Sequence, residues 1–350
     1  MIVIGITIVH AGSIPAASTK INILKSERSI LDNLWDTLIE ESGPIISGSF
    51  RAPRQMLAEQ EYDGHLSIHD DAQAESLGFK GAPIEGPTHF SQFDPLLHKL
   101  WGDDWFRFGC ISSHFKSMVV EGEAVKAYVE RSDAESNVVK IWATKESGEI
   151  VLEGSASLGP NHPENYVENL LNSRPTAKNL VVLEHAKIGD RTAAEKNISI
   201  KFNQHLGKNY PFTLNQKLKK ITESCKWYLP EHGQESPWGK PILPIEMINP
   251  FVSFTRSLLP RAKQPSIGLF ADLEVKLING PIFVNEDYTL EREIVGLGES
   301  RRTESMWIKT SIFLSKTSEL IATVLLNNAV LKDSYPNYEA EKKLTNSTDI

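Results

Sequence analysis

The chain has few cysteines, no block of basic residues and no long apolar run. Its 350 residues include only Cys110 and Cys225, which are too few for a disulfide framework and lack the spacing of metal ligands. The formal charge is −8, and the densest basic group is Lys217, Lys219 and Lys220. Because surfaces that bind nucleic acid concentrate positive charge, nucleic acid is not an expected partner.

The apolar N-terminal stretch comes nearest to a targeting or membrane segment. It ends in Pro15-Ala16-Ala17-Ser18, which is loosely similar to a signal-peptide cleavage site. However, no Lys or Arg precedes that site, His10 and Gly12 interrupt the run, and the run is too short to cross a bilayer. We therefore expect a cytoplasmic protein with reduced cysteines and no membrane partner. Residues 1–20 are predicted to be an extension or an extra edge strand.

A short pattern recurs along the chain at an interval of 158 residues. Gly81-Ala82-Pro83-Ile84 is matched by Gly239-Lys240-Pro241-Ile242, and Phe93 is matched by Phe251. The same interval separates Leu100 from Leu258, Val119-Val120 from Leu277-Ile278, and Gly122 from Gly280. Agreement across a turn, an apolar helix and a strand predicts two related halves.

Each half has the same predicted order of elements: a Gly/Pro turn, an apolar helix of about a dozen residues and four strands of alternating polarity. The predicted strands are Ile111–Val120, Glu123–Arg131, Val138–Lys145 and Ile150–Leu158, then Leu269–Ile278, Tyr288–Gly296, Ser305–Leu314 and Glu319–Leu331. A helix followed by an antiparallel meander predicts a helix wrapped by a curved sheet, an α+β architecture.

The predicted organisation has five parts. Residues 1–45 form an N-terminal extension with an amphipathic helix over 26–42, because apolar residues recur there at helical spacing. The first half covers 46–160, a linker rich in Pro, Asn and Glu covers 161–174, and the second half covers 175–335. Residues 336–350 are polar and without periodicity, so we expect a frayed tail.

The segment from Tyr62 to Leu100 carries the residues most suited to chemistry. A polar loop with His69 leads through a glycine-rich turn to Gly86, and Pro87 opens an apolar run. An imidazole can accept and donate a proton near neutral pH. The backbone N–H of a glycine at a helix start is a preorganised donor for an oxygen that gains negative charge. This order of residues suits proton transfer beside an oxyanion site.

The segment resembles the MaoC-like hydratase/dehydratase family, in which an Asp-x-Asn-Pro-x-His loop precedes a Gly-Phe-x-Gly turn and a His-Gly pair at the central helix. The residues in register are Ile68-His69-Asp70-Asp71, Ala74, Leu77-Gly78-Phe79, Gly81, Ile84 and Gly86. The resemblance implies a tandem, or double, hotdog fold, each half a long central helix wrapped by a curved antiparallel sheet. It also implies hydration or dehydration of an acyl thioester, bound to coenzyme A or a carrier protein, with no cofactor and no metal.

Two positions depart from the family's pattern. Gly64 stands where the family has its catalytic Asp, and Glu85 stands where it has the His before the helix glycine. The hypothesis is that His69 is the base and acid, that Asp63 or Glu85 assists it, and that the Gly86 N–H is the oxyanion donor. The residues expected to bind substrate are His65, His89, Phe90 and Phe93.

The second half is predicted to lack chemistry and to widen the cavity for bulky acyl groups. The interval of 158 places Trp227 opposite His69 and places Pro244, which has no N–H, opposite Gly86. Two other functions stay open: a non-catalytic or cyclase-like hotdog that binds an acyl or polycyclic ligand, and an acyl-CoA thioesterase that uses Glu85 and water. A homodimer of such chains also stays open.

Overall fold

The computed structural model describes residues 28–30, 34–62, 65–76, 78–131, 136–255 and 258–347. The extension expected over residues 1–20 lies outside this range. The strands are β1 Arg28–Ile30, β2 Leu38–Ser42, β3 Ile45–Ser47, β4 Glu61–Tyr62, β5 His65–Leu66, β6 Gly109–Phe115, β7 Val125–Arg131, β8 Val138–Lys145, β9 Ile150–Leu158, β10 Glu195–Ile198, β11 Gly268–Leu277, β12 Tyr288–Glu299, β13 Thr303–Leu314 and β14 Glu319–Leu331.

The helices are short and include several single turns. The α-helices are α1 Asp71–Ser76, α2 Asp94–Trp101, α3 Asp104–Phe108, α4 Tyr166–Ser173, α5 Leu214–Leu218, α6 Ile248–Ser253 and α7 Tyr338–Ser347. The 3-10 helices are Gly86–Gln92, Lys226–Tyr228, Gly233–Glu235, Ile245–Met247 and Lys332–Ser334. Two of these, Gly86–Gln92 and Ile245–Met247, lead directly into α2 and α6.

Over the described ranges, one antiparallel sheet of twelve strands runs through both halves, in the order β1-β2-β3-β7-β8-β9-β6-β11-β14-β13-β12-β10. The halves meet where β6 pairs with β11, from His114 opposite Asp272 to Cys110 opposite Lys276. Apolar residues of the central helices, such as Phe93 and Phe251, share one core with the inward residues of these strands. Helices packed on an antiparallel sheet form an α+β architecture that fits a hotdog fold.

The alternation of polarity located the long strands well. The bounds predicted for Val138–Lys145, Ile150–Leu158 and Glu319–Leu331 are confirmed. The helices were placed less well, since the predicted long central helix is divided into a 3-10 helix and an α-helix in each half. Leu258, expected to match Leu100 inside a helix, lies beyond α6 and is 76% exposed.

The two halves correspond at an interval of 159 residues where the central helices begin. Glu85 and Pro244 are the N-caps of the two 3-10 helices, and each accepts a hydrogen bond at its carbonyl, from the N–H of Thr88 and Met247 respectively. The predicted match of Pro244 with Gly86 is therefore wrong by one residue. The residue that corresponds to Gly86 is Ile245, which has an N–H.

The interval is larger again at the strands that follow. Ile84 N–H donates to the Val119 carbonyl, and Leu243 N–H donates in the same way to the Ile282 carbonyl. Val119 thus corresponds to Ile282, and its predicted match with Leu277 is wrong. Longer turns and strands in the second half account for the difference.

Two predictions about the ends are also wrong, and the predicted linker contains a helix. The amphipathic helix expected over residues 26–42 is replaced by β1 and β2, which pair with each other. The linker contains α4, whose Val167 is fully buried. The expected frayed tail contains α7, held by the Tyr338 hydroxyl, which donates to the buried carboxylate of Glu304 at 3.0 Å. In each case contacts outside the local sequence pattern decide the structure.

Candidate functional site

A cavity of about 550 Å³ lies between the central helices and the sheet, with walls from both halves. The first half contributes His69, Glu85, Gly86 and His89, and the second half contributes Tyr210 and Asn249. Small-molecule sites commonly have volumes of roughly 300–1,000 Å³. The cavity is therefore large enough for a small organic ligand, and it gathers four of the eight residues that the sequence singled out.

His69 is held by its own loop in a defined tautomer. Its backbone N–H donates to Ser67 Oγ at 3.1 Å, and Ser67 Oγ in turn donates to Gln60 Oε1 at 2.6 Å. The imidazole Nδ1 lies 2.7 Å from the Pro83 carbonyl oxygen. Because a carbonyl oxygen can only accept, Nδ1 carries the hydrogen, and Nε2 of the neutral ring keeps its lone pair. Nε2 is then the nitrogen able to take a proton.

The protonation state of His69 suits a base. Burial lowers the pKa of the imidazole below its usual value, although the hydrogen bond to Pro83 opposes that effect. The neutral form is thus favoured at neutral pH.

Two carboxylates fix the loop that follows His69. Asp70 Oδ1 accepts from the Gln73 N–H at 2.9 Å, and Asp71 Oδ1 accepts from the Ala82 N–H at 2.8 Å.

Glu85 is a buried carboxyl that lines the cavity at the start of its 3-10 helix. Its side chain accepts a hydrogen bond from the Tyr210 hydroxyl at 3.0 Å. Burial raises the pKa of Glu85 to about 7, against the opposing effects of the Lys217 charge and of Tyr210. A carboxyl that titrates near neutrality can donate a proton and can also accept one. Glu85 therefore has the properties of an acid–base group.

Lys217 sets the charge around Glu85 and is itself buried. Its Nζ donates to Thr88 Oγ1 at 3.2 Å and lies 3.1 Å from Glu246 Oε1, an ion pair whose angles fall outside hydrogen-bond geometry. Glu246 comes from the second half. The positive charge of Lys217 thus pairs with the Glu246 carboxylate and also lowers the pKa of Glu85.

Gly86 allows a close approach that a larger residue would prevent. A Cβ atom on Gly86 would lie 2.8 Å from two ring carbons of Phe115, closer than carbon atoms pack. Both residues line the cavity, and within the described part of the chain no acceptor is bonded to the Gly86 N–H. The amide at this helix start is thus available to a ligand oxygen.

The remaining predicted residues are divided between the cavity, the core and the part of the chain not described. His89 lines the cavity, is 2% exposed, and has its pKa lowered to about 4, chiefly by burial. Phe90 and Phe93 are fully buried in the core and do not line the cavity. Asp63 lies outside the described residues. His65 pairs with Tyr62 through its backbone, and its side chain is outside the described part.

Sequence reasoning did not identify the residues that the second half contributes. Tyr210 is separated from Glu85 by 125 residues, and no motif connects them. Asn249 is a polar residue within the apolar helix α6, which is the one signal that could have drawn attention to it. The second half therefore brings polar groups into the cavity as well as apolar wall.

In the described ranges no group of three or more His, Cys, Asp or Glu side chains is placed to hold a metal ion. None of their helices has the length and apolar character needed to cross a membrane.

No family model matches the chain, and no curated protein matches it in sequence. Among solved structures, a MaoC-like dehydratase has 13% identity and a TM-score of 0.45, over 85% of this chain and 97% of that chain. The dehydratase domain of PpsC from Mycobacterium tuberculosis in complex with C12:1-CoA has 9% identity and a TM-score of 0.44, over 85% and 98%.

An acyl-CoA thioesterase II, TesB2, from Mycobacterium marinum has 12% identity and a TM-score of 0.38, over 83% of this chain and 95% of that chain. The solved structures similar to this chain thus include MaoC-like dehydratases, the family that the Tyr62–Leu100 segment resembles, together with dehydratase domains and a thioesterase.

Proposed function

We propose that the protein is an acyl-thioester hydro-lyase, a hydratase or dehydratase, made of two hotdog halves over residues 46–160 and 175–335. The observation that carries the proposal is the meeting of three groups in one cavity. These are the His69 imidazole, whose Nε2 keeps its lone pair, the Glu85 carboxyl, whose pKa is raised to about 7, and the Gly86 amide, which bonds to no acceptor among the described residues. We assign the chemistry to the first half.

These groups match the demands of adding water to an α,β-unsaturated thioester. His69 Nε2 takes a proton from water, whose oxygen bonds to the β-carbon while the double bond shifts toward the carbonyl. The Gly86 N–H stabilises the negative charge on the thioester oxygen. Protonated Glu85 then gives a proton to the α-carbon, and the two groups regain their starting states by exchange with solvent. Dehydration runs through the same steps in reverse.

Turnover of acyl-CoA esters tests this proposal. Purified protein is incubated with enoyl-CoA and 3-hydroxyacyl-CoA esters of increasing chain length, beside His69→Ala. We expect turnover that falls about 10²–10⁴-fold in the variant, the usual contribution of a general base. His185→Ala is the matched control, because His185 is an exposed histidine away from the cavity. No turnover of any ester, or equal turnover in His69→Ala, would contradict the proposal.

A thioesterase is the second candidate, and the position of Glu85 is the observation that favours it. A carboxylate in the cavity can activate water for attack on the thioester carbonyl, and near pH 7 a large share of Glu85 is ionised. Release of free thiol that is lost in Glu85→Gln and kept in His69→Ala would support hydrolysis. Stabilisation by acyl-CoA with no chemical change would instead support the binding function.

A further inference from the structure

The second half of the cavity contains a buried amide that forms no hydrogen bond with the described residues. Asn249 lines the cavity from α6 and is 1% exposed. Neither its Oδ1 nor its Nδ2 has a partner. Buried polar groups are paired in the great majority of cases, because an unpaired one lowers stability. Asn249 is therefore a polar group retained at a cost to the fold.

The fold does not require an amide side chain at the position of Asn249. Counting from the equivalent N-caps Glu85 and Pro244, Asn249 corresponds to Phe90. Phe90 is fully buried and its ring stacks against Phe115, with centroids 6.2 Å apart. The same place in the fold thus accepts an apolar side chain. An apolar residue there would avoid the unpaired amide, and because this amide also lines the cavity, it points to a ligand.

The charged residue that bonds to α6 favours a neutral ligand group at Asn249. Arg292 lines the cavity, and its guanidinium is already bonded to Glu195, to the Val252 carbonyl of α6 at 2.6 Å and to Thr255 Oγ1 at 3.0 Å. Its charge is therefore matched within the protein. The cross-strand neighbour of Arg292 is Thr310, a second neutral polar residue of the wall.

We propose that Asn249 binds a hydroxyl group on the acyl chain of the ligand. This inference rests on the proposed function, since it takes the ligand to be an acyl thioester. A hydroxyl can donate to Oδ1 and accept from Nδ2, whereas a keto oxygen can only accept. The second half then selects hydroxylated acyl chains over plain ones of the same length.

Binding of unreactive esters tests this selection separately from turnover. The probes are a saturated twelve-carbon acyl-CoA and its monohydroxylated analogues, with the hydroxyl placed at successive carbons from the fifth onward. They have neither a conjugated double bond nor a 3-hydroxyl, so they undergo neither hydration nor dehydration. We expect one analogue to bind the wild-type protein about tenfold more tightly than the plain chain by calorimetry, a ratio that corresponds to ~1.4 kcal/mol.

Two kinds of variant separate binding from a structural role. Asn249→Leu keeps the side-chain shape without the amide, and Asn249→Ala removes the amide without adding apolar branches. Both are expected to bind the two esters equally. Gln92→Met is the matched control, since the Gln92 amide is also buried and unpaired within the described residues but does not line the cavity. It should keep the tenfold preference. A cooperative thermal unfolding transition in all three would establish that they are folded.

Each result has a distinct meaning. Equal binding of all esters by the wild-type protein, or a preference that persists in both Asn249 variants, would overturn the inference. Turnover of enoyl-CoA without any preference would overturn it and leave the proposed reaction standing. A preference lost only in the Asn249 variants, with no turnover of any ester, would support the inference and remove the hydro-lyase reaction.

Discussion

Replacing Glu85 with Gln is expected to flatten the dependence of stability on pH. The folded protein holds the Glu85 proton up to about pH 7, whereas the unfolded chain releases it near 4.5. The folded state binds more protons between these values, so its stability falls as the pH rises through that window. One pKa unit corresponds to 1.36 kcal/mol, so ionising Glu85 lowers the free energy of unfolding by about 3 kcal/mol between pH 4.5 and 8.

Gln is the appropriate substitution, because it cannot ionise and its Oε1 can still accept from the Tyr210 hydroxyl. Urea unfolding of the wild-type protein and Glu85→Gln would be measured at several values from pH 4.5 to 8. The variant is expected to gain about 3 kcal/mol relative to wild type across this range. Glu75→Gln, at an exposed position on α1, is the control and should change nothing. A difference that is constant with pH, or that has the opposite sign, would refute the reasoning.

Three further predictions concern Gly86, Asp94 and the pH dependence of hydration. Gly86→Ala is expected to lose about 1–3 kcal/mol of stability, because its Cβ would meet the Phe115 ring, and Phe115→Leu in the same chain should restore part of the loss in urea unfolding. Asp94→Asn should gain stability relative to wild type as the pH rises from about 4 to about 7, since burial raises the pKa of this wholly buried carboxyl to about 7; an unchanged difference would contradict this. Hydration rates should fall above about pH 7 as Glu85 loses its proton, while His69 stays neutral; a rate still rising at pH 9 would exclude Glu85 as the acid.

The strands could be predicted because their signal is local. Residues such as Val139, Ile141 and Ala143 alternate with exposed or partly exposed neighbours, and the alternation alone fixes β8. The segment before β3 was wrongly predicted to be a helix, because Trp35 and Ile39 also fit a helical stripe. Pairing of β1 with β2, which no local pattern records, decided in favour of strands.

The candidate site could be predicted only where it is contiguous in sequence. His69, Glu85 and Gly86 fall within one short segment, so a familiar spacing identified them. Tyr210 and Asn249 reach the cavity through the folding of the second half onto the first. A fixed interval between the halves could not locate them, because insertions shift it from 159 at the helix starts to 163 at the following strands.

The central claim is that His69 and Glu85 add water across the double bond of an acyl thioester. Turnover of enoyl-CoA in water labelled with oxygen-18 tests it most directly, because the label marks the carbon that water attacks. We predict label on the β-carbon of a 3-hydroxyacyl-CoA product, formed at least about 10²-fold more slowly by His69→Ala. Label in the carboxylate of a free acid, or an equal rate in the variant, would contradict the account.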